Sequence, residues 1–237
     1  MAGKDEYEWV IKDNVFHRRV SDVRNKVQWD FEQTGKAMEL LAQGAGYAGG
    51  QEAHQVALTE EEIEAMAFFD PQTPVLKFQY MLRMLRRELK RAHRYQRPIS
   101  ILIVAIDSFE GISKRYGALA QEQVLQSVGN TLNRLVRSDV DLVGRYVNER
   151  FILILPETPG KGATVLAERI RKTIETNIIE YQWHQIASTV SIGISHRPGH
   201  AGEAEELIVQ ADMACESVER RGGNGTALAP MTAISAD

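Results

Sequence analysis

Hydrophobic positions along the chain follow two different periods, which separate predicted helices from predicted strands. Apolar residues spaced three and four apart indicate amphipathic helices, whereas short runs rich in β-branched residues indicate strands. The pattern predicts helices over residues 7–43, 60–66, 74–97, 120–137, 160–178 and 203–221. It predicts strands over residues 99–106 and 188–195, and two more within residues 141–156.

The predicted strand over residues 99–106, ISILIVAI, is an almost unbroken apolar run, which is typical of a strand buried on both faces. Residues 141–156 form two predicted strands joined by a tight turn around residues 147–150, where Asn148 tolerates the left-handed conformation. Beyond residue 70 the order is helix, strand, helix, hairpin, helix, strand, helix. This alternation predicts an α/β domain whose central sheet is covered by helices.

Charge and proline content both change near Asp70. Residues 1–70 hold 7 Lys and Arg against 14 Asp and Glu, a net charge of −7, whereas the rest of the chain has a net charge of +3 and all seven prolines. We therefore divide the chain into a helical N-terminal extension, a globular domain and a short tail. These parts cover residues 1–69, with a glycine-rich linker over 44–51, then 70–228 and 229–237.

The first predicted helix carries a partial heptad pattern. Its core positions are Phe16, Val20, Val23, Val27, Asp30, Thr34, Ala37 and Leu41, of which Asp30 and Thr34 are polar. Periodicity alone leaves two interpretations open. The helix either packs on its own domain, or it mediates self-association through the Phe16–Leu41 stretch.

Composition narrows the class of protein. The single cysteine, Cys215, excludes an internal disulfide and a cysteine-based zinc site, and its place on an apolar helix face predicts a core thiol. No apolar run approaches the roughly 18–20 residues that span a bilayer, and the N-terminal MAGKDEYEWV does not resemble a secretory signal. We therefore expect a cytoplasmic protein without a membrane span.

Two groups of charged or titratable residues are expected to lie on the surface without a role in binding. A basic stripe on the helix over residues 74–97 is expected to be a solvated face, and no interleaved aromatics indicate nucleic-acid binding. The stripe consists of Arg83, Arg87, Lys90, Arg91 and Arg94. His184, His196 and His200 lack the spacing of metal ligands and are expected on the surface.

Five motifs beyond residue 70 resemble, in order and spacing, those of the GGDEF family of diguanylate cyclases. They are DPQT (70–73), AIDSFEGISKRYG (105–117), RYVNERF (145–151), STVSIGIS (188–195) and ADMACESVERRGGN (211–224). The resemblance implies a five-stranded sheet flanked by helices. It also implies a bacterial enzyme that condenses two GTP molecules into cyclic di-GMP with Mg²⁺.

The resemblance locates the family's functional positions in this chain, and most of them carry different residues. The first metal-binding aspartate falls on Ala105, and the signature falls on Val147, Asn148, Glu149, Arg150 and Phe151. The positions that contact guanine fall on Ser113 and Glu122, and the phosphate-binding cations fall on Glu219 and Gly223. Metal, base and phosphate contacts have therefore all changed. We expect a degenerate domain without catalytic residues, without a metal site and without a cofactor, with Mg²⁺ only alongside residual nucleotide binding.

An inhibitory product site of the family, R-x-x-D, falls on residues 138–141, where Asp141 is kept and Arg137 lies one residue early. The sequence therefore predicts an inactive GGDEF domain that serves as a signalling and protein-interaction module. The alternative is a receptor that holds cyclic di-GMP or GTP at low affinity, with Arg137, Asp141, Asp107, Glu122 and Glu149 as candidate contacts. A residual diguanylate cyclase is the third hypothesis.

Overall fold

The computed structural model describes Arg19, Asp22 and residues 67–200 and 203–231. Arg19 and Asp22 are both helical. The remainder of the predicted helix over residues 7–43, the linker over 44–51, the helix over 60–66 and residues 232–237 lie outside the described residues.

Five helices and seven strands follow one another between residues 78 and 228 of the described chain. The helices are α1 (Phe78–Tyr95), α2 (Phe109–Tyr116), α3 (Ala118–Leu135), α4 (Gly160–Thr176) and α5 (Ala204–Arg220). The strands are β1 (Ile99–Ile106), β2 (Leu142–Arg145), β3 (Arg150–Pro156), β4 (Ile178–Tyr181), β5 (His184–Ala187), β6 (Val190–Arg197) and β7 (Gly225–Leu228).

Five of these strands form the central sheet in the order β2-β3-β1-β6-β7, and β4 pairs only with β5. β1 runs antiparallel to β3 and to β6, and β7 runs parallel to β6. The α/β fold with a five-stranded sheet and flanking helices is confirmed. The hydrophobic pattern missed β4 and β5, and it extended the helix over 160–178 to Ile178, which begins β4. It missed β7 because its Gly-Thr-Ala-Leu sequence does not alternate, and it missed α2 because Ile112 is the only buried residue of that short helix.

The sheet separates two hydrophobic cores, as a strand buried on both faces requires. Every residue of β1 is buried. Ile101, Ile103 and Ala105 face the core that α1 and α5 cover, whereas Leu102 and Val104 face the core beneath α3 and α4. Because side chains alternate along a strand, Arg150 lies on the α5 side of β3 and Phe151 on the opposite side.

The sequence predicted that the histidines lie on the surface. This is wrong for His200, which is buried, and His196 is half-buried. His200 is fully buried, and its Nε2 lies 2.8 Å from the carbonyl oxygen of Ala229. Its Nδ1 lies 3.0 Å from the backbone nitrogen of His196, whose half-buried ring packs edge-on against the His200 ring. These contacts fasten the chain after β7 to the end of β6, a long-range pairing that the local sequence does not encode.

Gly193 lets α5 approach β6 closely, and its replacement tests this packing. A Cβ at Gly193 would clash with the carbonyl oxygen of Ala211 and would lie 2.9 Å from the Cα of Cys215. Because both obstacles are backbone atoms, Gly193→Ala should destabilise the domain by about 2–3 kcal/mol in chemical denaturation. Gly111→Ala is the matched control, since its Cβ would meet only Ser108 at 3.9 Å. A loss of less than about 1 kcal/mol for Gly193→Ala would contradict this packing.

Candidate functional site

The signature segment forms a tight hairpin between β2 and β3. The Tyr146 N–H donates to the Arg150 carbonyl oxygen at 2.9 Å, and the Arg150 N–H donates to that of Val147 at 2.8 Å. Asn148 has a φ of 46°, which confirms the left-handed conformation predicted for it. Val147 is half-buried and packs against the core that contains Phe78 and Tyr146. The β-branched side chain at this position is therefore part of the packing of the hairpin.

Arg150 connects this hairpin to α5 through two ion pairs. Its Nη1 donates to Asp212 Oδ1 and its Nη2 donates to Glu219 Oε2, both at 2.6 Å. The Arg150 side chain is 15% exposed, and its carboxylate partners are 17% and 28% exposed. Arg150 stands directly opposite Ala105 in the β1–β3 register. The small alanine leaves the space beside it to the longer arginine side chain.

Burial shifts the ionisation of this cluster. It raises the pKa of Asp212 to about 6 in spite of the nearby Arg150 guanidinium, and it also raises the pKa of Glu219. Burial alone would lower the pKa of Arg150, but Asp212 and other neighbouring groups reverse the direction and raise it. Arg150 is therefore held as a cation between two acidic side chains.

Asp212, Glu216 and Glu219 are spaced four and three residues apart along α5, so they share one face of that helix. We call these three residues the acidic face of α5. Glu216 Oε1 accepts a hydrogen bond from Arg19 Nη1 at 2.9 Å. Asp212, Glu216 and Arg19 were not among the sequence candidates. The spacing on a predicted helix, combined with the arginine in the signature, could have indicated the first two.

Asp107 lies just after β1 and is engaged by the fold itself. Its carboxylate accepts hydrogen bonds from Thr189 Oγ1 at 2.7 Å, Ser191 Oγ at 2.6 Å and the Asn224 N–H at 2.8 Å. A Cβ at Gly223 would lie 2.8 Å from this carboxylate, and Gly223 has a φ of 76°. Asp107 therefore joins the end of β1 to β6 and to the turn after α5.

Arg137 and Asp141 form a bidentate ion pair with each other. Arg137 Nη2 donates to Asp141 Oδ1 at 2.6 Å, and its Nε donates to Oδ2 at 3.0 Å. Arg137 Nη2 also lies 3.0 Å from the Pro156 carbonyl oxygen. Pro156 ends β3 and Arg150 begins it, so this pair and the Arg150 cluster are separated by the length of the strand, roughly 20 Å.

The remaining candidates lie apart from both clusters or at their edge. Glu122 is exposed on α3 and lines an open groove of about 1030 Å³ together with Tyr181. Ser113 is half-buried on α2, and Glu149 is half-buried in the hairpin turn. Among the residues that the structure describes, no three His, Cys, Asp or Glu side chains are grouped so that they could hold a metal ion.

Residues 67–225 match the family described as "Diguanylate cyclase, GGDEF domain". The match covers more than half of the chain and confirms the resemblance: this protein belongs to the GGDEF family. Within residues 67–200 and 203–231, no helix combines the length and apolar character needed to cross a membrane.

Curated relatives include diguanylate cyclases from two bacteria. Diguanylate cyclase A of Treponema denticola is 30% identical over 176 residues, which cover 73% of this chain and 47% of the relative. Diguanylate cyclase DosC of Escherichia coli K12 is 33% identical over 168 residues, which cover 70% of this chain and 36% of the relative. The chain thus spans about half or less of the length of these relatives.

Solved structures share the fold. The GGDEF domain of YfiN (TpbB) from Pseudomonas aeruginosa is 25% identical with a TM-score of 0.64, over 67% of this chain and 99% of that one. The GGDEF domain of DgcB from Caulobacter crescentus, solved in complex with c-di-GMP, is 23% identical with a TM-score of 0.66. The latter alignment covers 76% of this chain and 98% of that one.

Removing the Arg150 side-chain charge should be costly, because it leaves Asp212 and Glu219 as largely buried carboxylates without their common partner. We expect Arg150→Met to lower the free energy of unfolding by about 3 kcal/mol in urea denaturation. Arg91→Met is the matched control, since Arg91 also pairs with two carboxylates, Glu88 and Glu157, but is 51% exposed. Its loss should be below about 1 kcal/mol. Equal losses for the two variants would contradict a special role of Arg150.

The raised pKa of Asp212 predicts the direction in which the free energy of unfolding changes with pH. Between its ordinary value of 3.8 and about 6, the folded protein binds a proton at Asp212 that the unfolded chain does not. The Asp212 contribution to stability therefore falls as pH rises through this window, by on the order of 2 kcal/mol. The difference between wild type and Asp212→Asn in urea denaturation, measured from pH 4 to pH 7, isolates this contribution. A difference that does not change with pH would refute the assignment.

Proposed function

We propose that this GGDEF domain does not condense GTP and acts as a signalling and protein-interaction module in a cyclic di-GMP-related bacterial pathway. The observation that carries the proposal is the pairing of Arg150 with Asp212 and Glu219. In the register of the family, this arginine stands beside the position of the metal. The ion pairs of Arg150 then occupy the place where a metal and a triphosphate would have to bind.

The oxygen donors near this position do not fit a magnesium ion. Mg²⁺ takes near-octahedral oxygen ligands, usually one or two carboxylates together with phosphates. Ala105 offers no side-chain oxygen, and both Asp107 oxygens already accept hydrogen bonds from Thr189, Ser191 and Asn224. Glu149 keeps a carboxylate at the family's second metal position, but a positively charged residue, Arg150, follows it directly in the chain.

The positions that bind phosphate in the family have also lost the residues that this binding needs. In the family's register, Glu219 and Gly223 replace two cations, and the Glu219 carboxylate is held in place by Arg150. Each cation that stabilises a transferring phosphoryl group contributes several kcal/mol to the transition state. Losing both along with a metal ligand removes the positive charges that the family's motifs supply to a triphosphate.

Kinship supports a role in cyclic di-GMP signalling, whereas the proposed loss of turnover rests on the residues of the site. The curated relatives are named diguanylate cyclases, at 30% and 33% identity. The diguanylate cyclase SiaD of Pseudomonas aeruginosa, which shares the fold, has been solved in complex with its activator SiaC. We therefore propose protein partners for this domain, bound through surfaces that do not require a nucleotide.

The receptor alternative depends on Arg137 being available to a ligand. Its guanidinium is bidentate to Asp141 and also donates to Pro156. A guanine or phosphate group would have to displace the Asp141 pair, which argues against high-affinity binding of cyclic di-GMP at this position.

The decisive measurement is product formation by the full chain. Purified protein is incubated with GTP and Mg²⁺ or Mn²⁺, and cyclic di-GMP is quantified by chromatography beside an active GGDEF enzyme. We expect no product from wild type. The variant carrying Ala105→Asp, Val147→Gly, Asn148→Gly and Arg150→Glu should gain little, because Glu219 and Gly223 remain.

Cyclic di-GMP from the wild-type protein would overturn the proposal. Calorimetry with GTP and with cyclic di-GMP at high micromolar concentration separates the interaction module from the receptor. Heat of binding from either nucleotide would favour the receptor hypothesis over the interaction module. The absence of heat with both nucleotides supports the interaction module.

A further inference from the structure

Arg19, in the N-terminal part of the chain, contacts the domain at the candidate site. Arg19 is helical, and its Nη1 lies 2.9 Å from Glu216 Oε1 on the acidic face of α5. The two side chains are 36% and 27% exposed, so the pair is half-buried rather than fully solvated. This contact joins residues that are 197 positions apart in the chain.

The charge of Arg19 also acts on groups other than Glu216. Its charge opposes the upward shifts that burial imposes on the pKa of Asp212 and on the pKa of Tyr146 in the hairpin. Arg19 therefore lies within electrostatic reach of both α5 and the hairpin, where the Arg150 ion pairs join these two elements.

The charges of the acidic face explain why a cation is needed there. Arg150 pairs with Asp212 and Glu219, so its single positive charge balances only one of these two carboxylates. Glu216, the third carboxylate, is left with Arg19 at 2.9 Å and with the exposed Arg220 at 3.7 Å. Because Asp212 and Glu219 flank it on the same face, an additional basic side chain from outside the domain relieves the repulsion among the three carboxylates.

We infer that the acidic face of α5 is the docking surface for the chain's own N-terminal segment, which is held there by Arg19. Of the two interpretations that the heptad pattern left open, this selects packing on the chain's own domain over self-association. The inference rests on the proposed function only for the statement that no nucleotide competes for this face.

Distances between spin labels in the full chain test the docking without any activity measurement. Labels are placed at Asp22→Cys and Lys161→Cys, which are exposed, while the native Cys215 is fully buried and does not react. We expect one narrow distance distribution that survives dilution with unlabelled protein. Glu216→Arg should abolish the narrow distribution, and the double swap Arg19→Glu with Glu216→Arg should restore it.

Glu180→Arg makes the same charge change at an exposed carboxylate of β4 and should leave the narrow distribution intact. A broad distribution in the starting protein would overturn the docking, as would a double swap that fails to restore the narrow distribution. A distribution that disappears on dilution would show that the segment binds a second copy, which overturns docking within one chain. Because cyclase activity is assayed separately, failure of this inference is distinguishable from failure of the proposed function.

Discussion

The ion pairs of Arg150 with Asp212 and Glu219 connect the hairpin to α5, and the rest of the candidate site is arranged around them. A guanidinium that is 15% exposed needs well-placed acceptors, because a buried charge without partners is strongly unfavourable. Two carboxylates one and a half to two turns apart on α5 supply those acceptors, and Ala105 supplies the space. The guanidinium charge at this point of the fold is therefore balanced by side chains of the protein itself.

Several residues that match positions of the family's motifs have a packing role in this domain. Asp107 binds Thr189, Ser191 and Asn224 and so closes the junction of β1, β6 and the turn after α5. Arg137 and Asp141 bind each other and fasten the loop before β2 to the end of β3. A carboxylate or guanidinium at a motif position is thus compatible with a purely structural role, and only its contacts distinguish the two cases.

The proposed loss of chemistry and the retained fold have separate physical bases. The fold depends on the alternation of β1 between two cores and on the close approach of β6 and α5 at Gly193. Substitution at Ala105, Arg150 and Glu219 therefore changes the electrostatics of one edge of the sheet while both cores persist. At the same edge, Glu216 pairs with Arg19.

The sequence by itself determined the elements whose local pattern of residues indicates whether they are helical, extended or buried. The apolar run of β1, the helical spacing of α1, α3, α4 and α5, and the left-handed Asn148 are local signals, and the structure bears them out. Only the tertiary structure decided which charges meet. Arg150 lies 62 and 69 residues from its partners, and Arg19 lies 197 from Glu216. Local periodicity carries no information on such distant pairs, because they form only when the packing of β3 and α5 brings their side chains to one edge of the sheet.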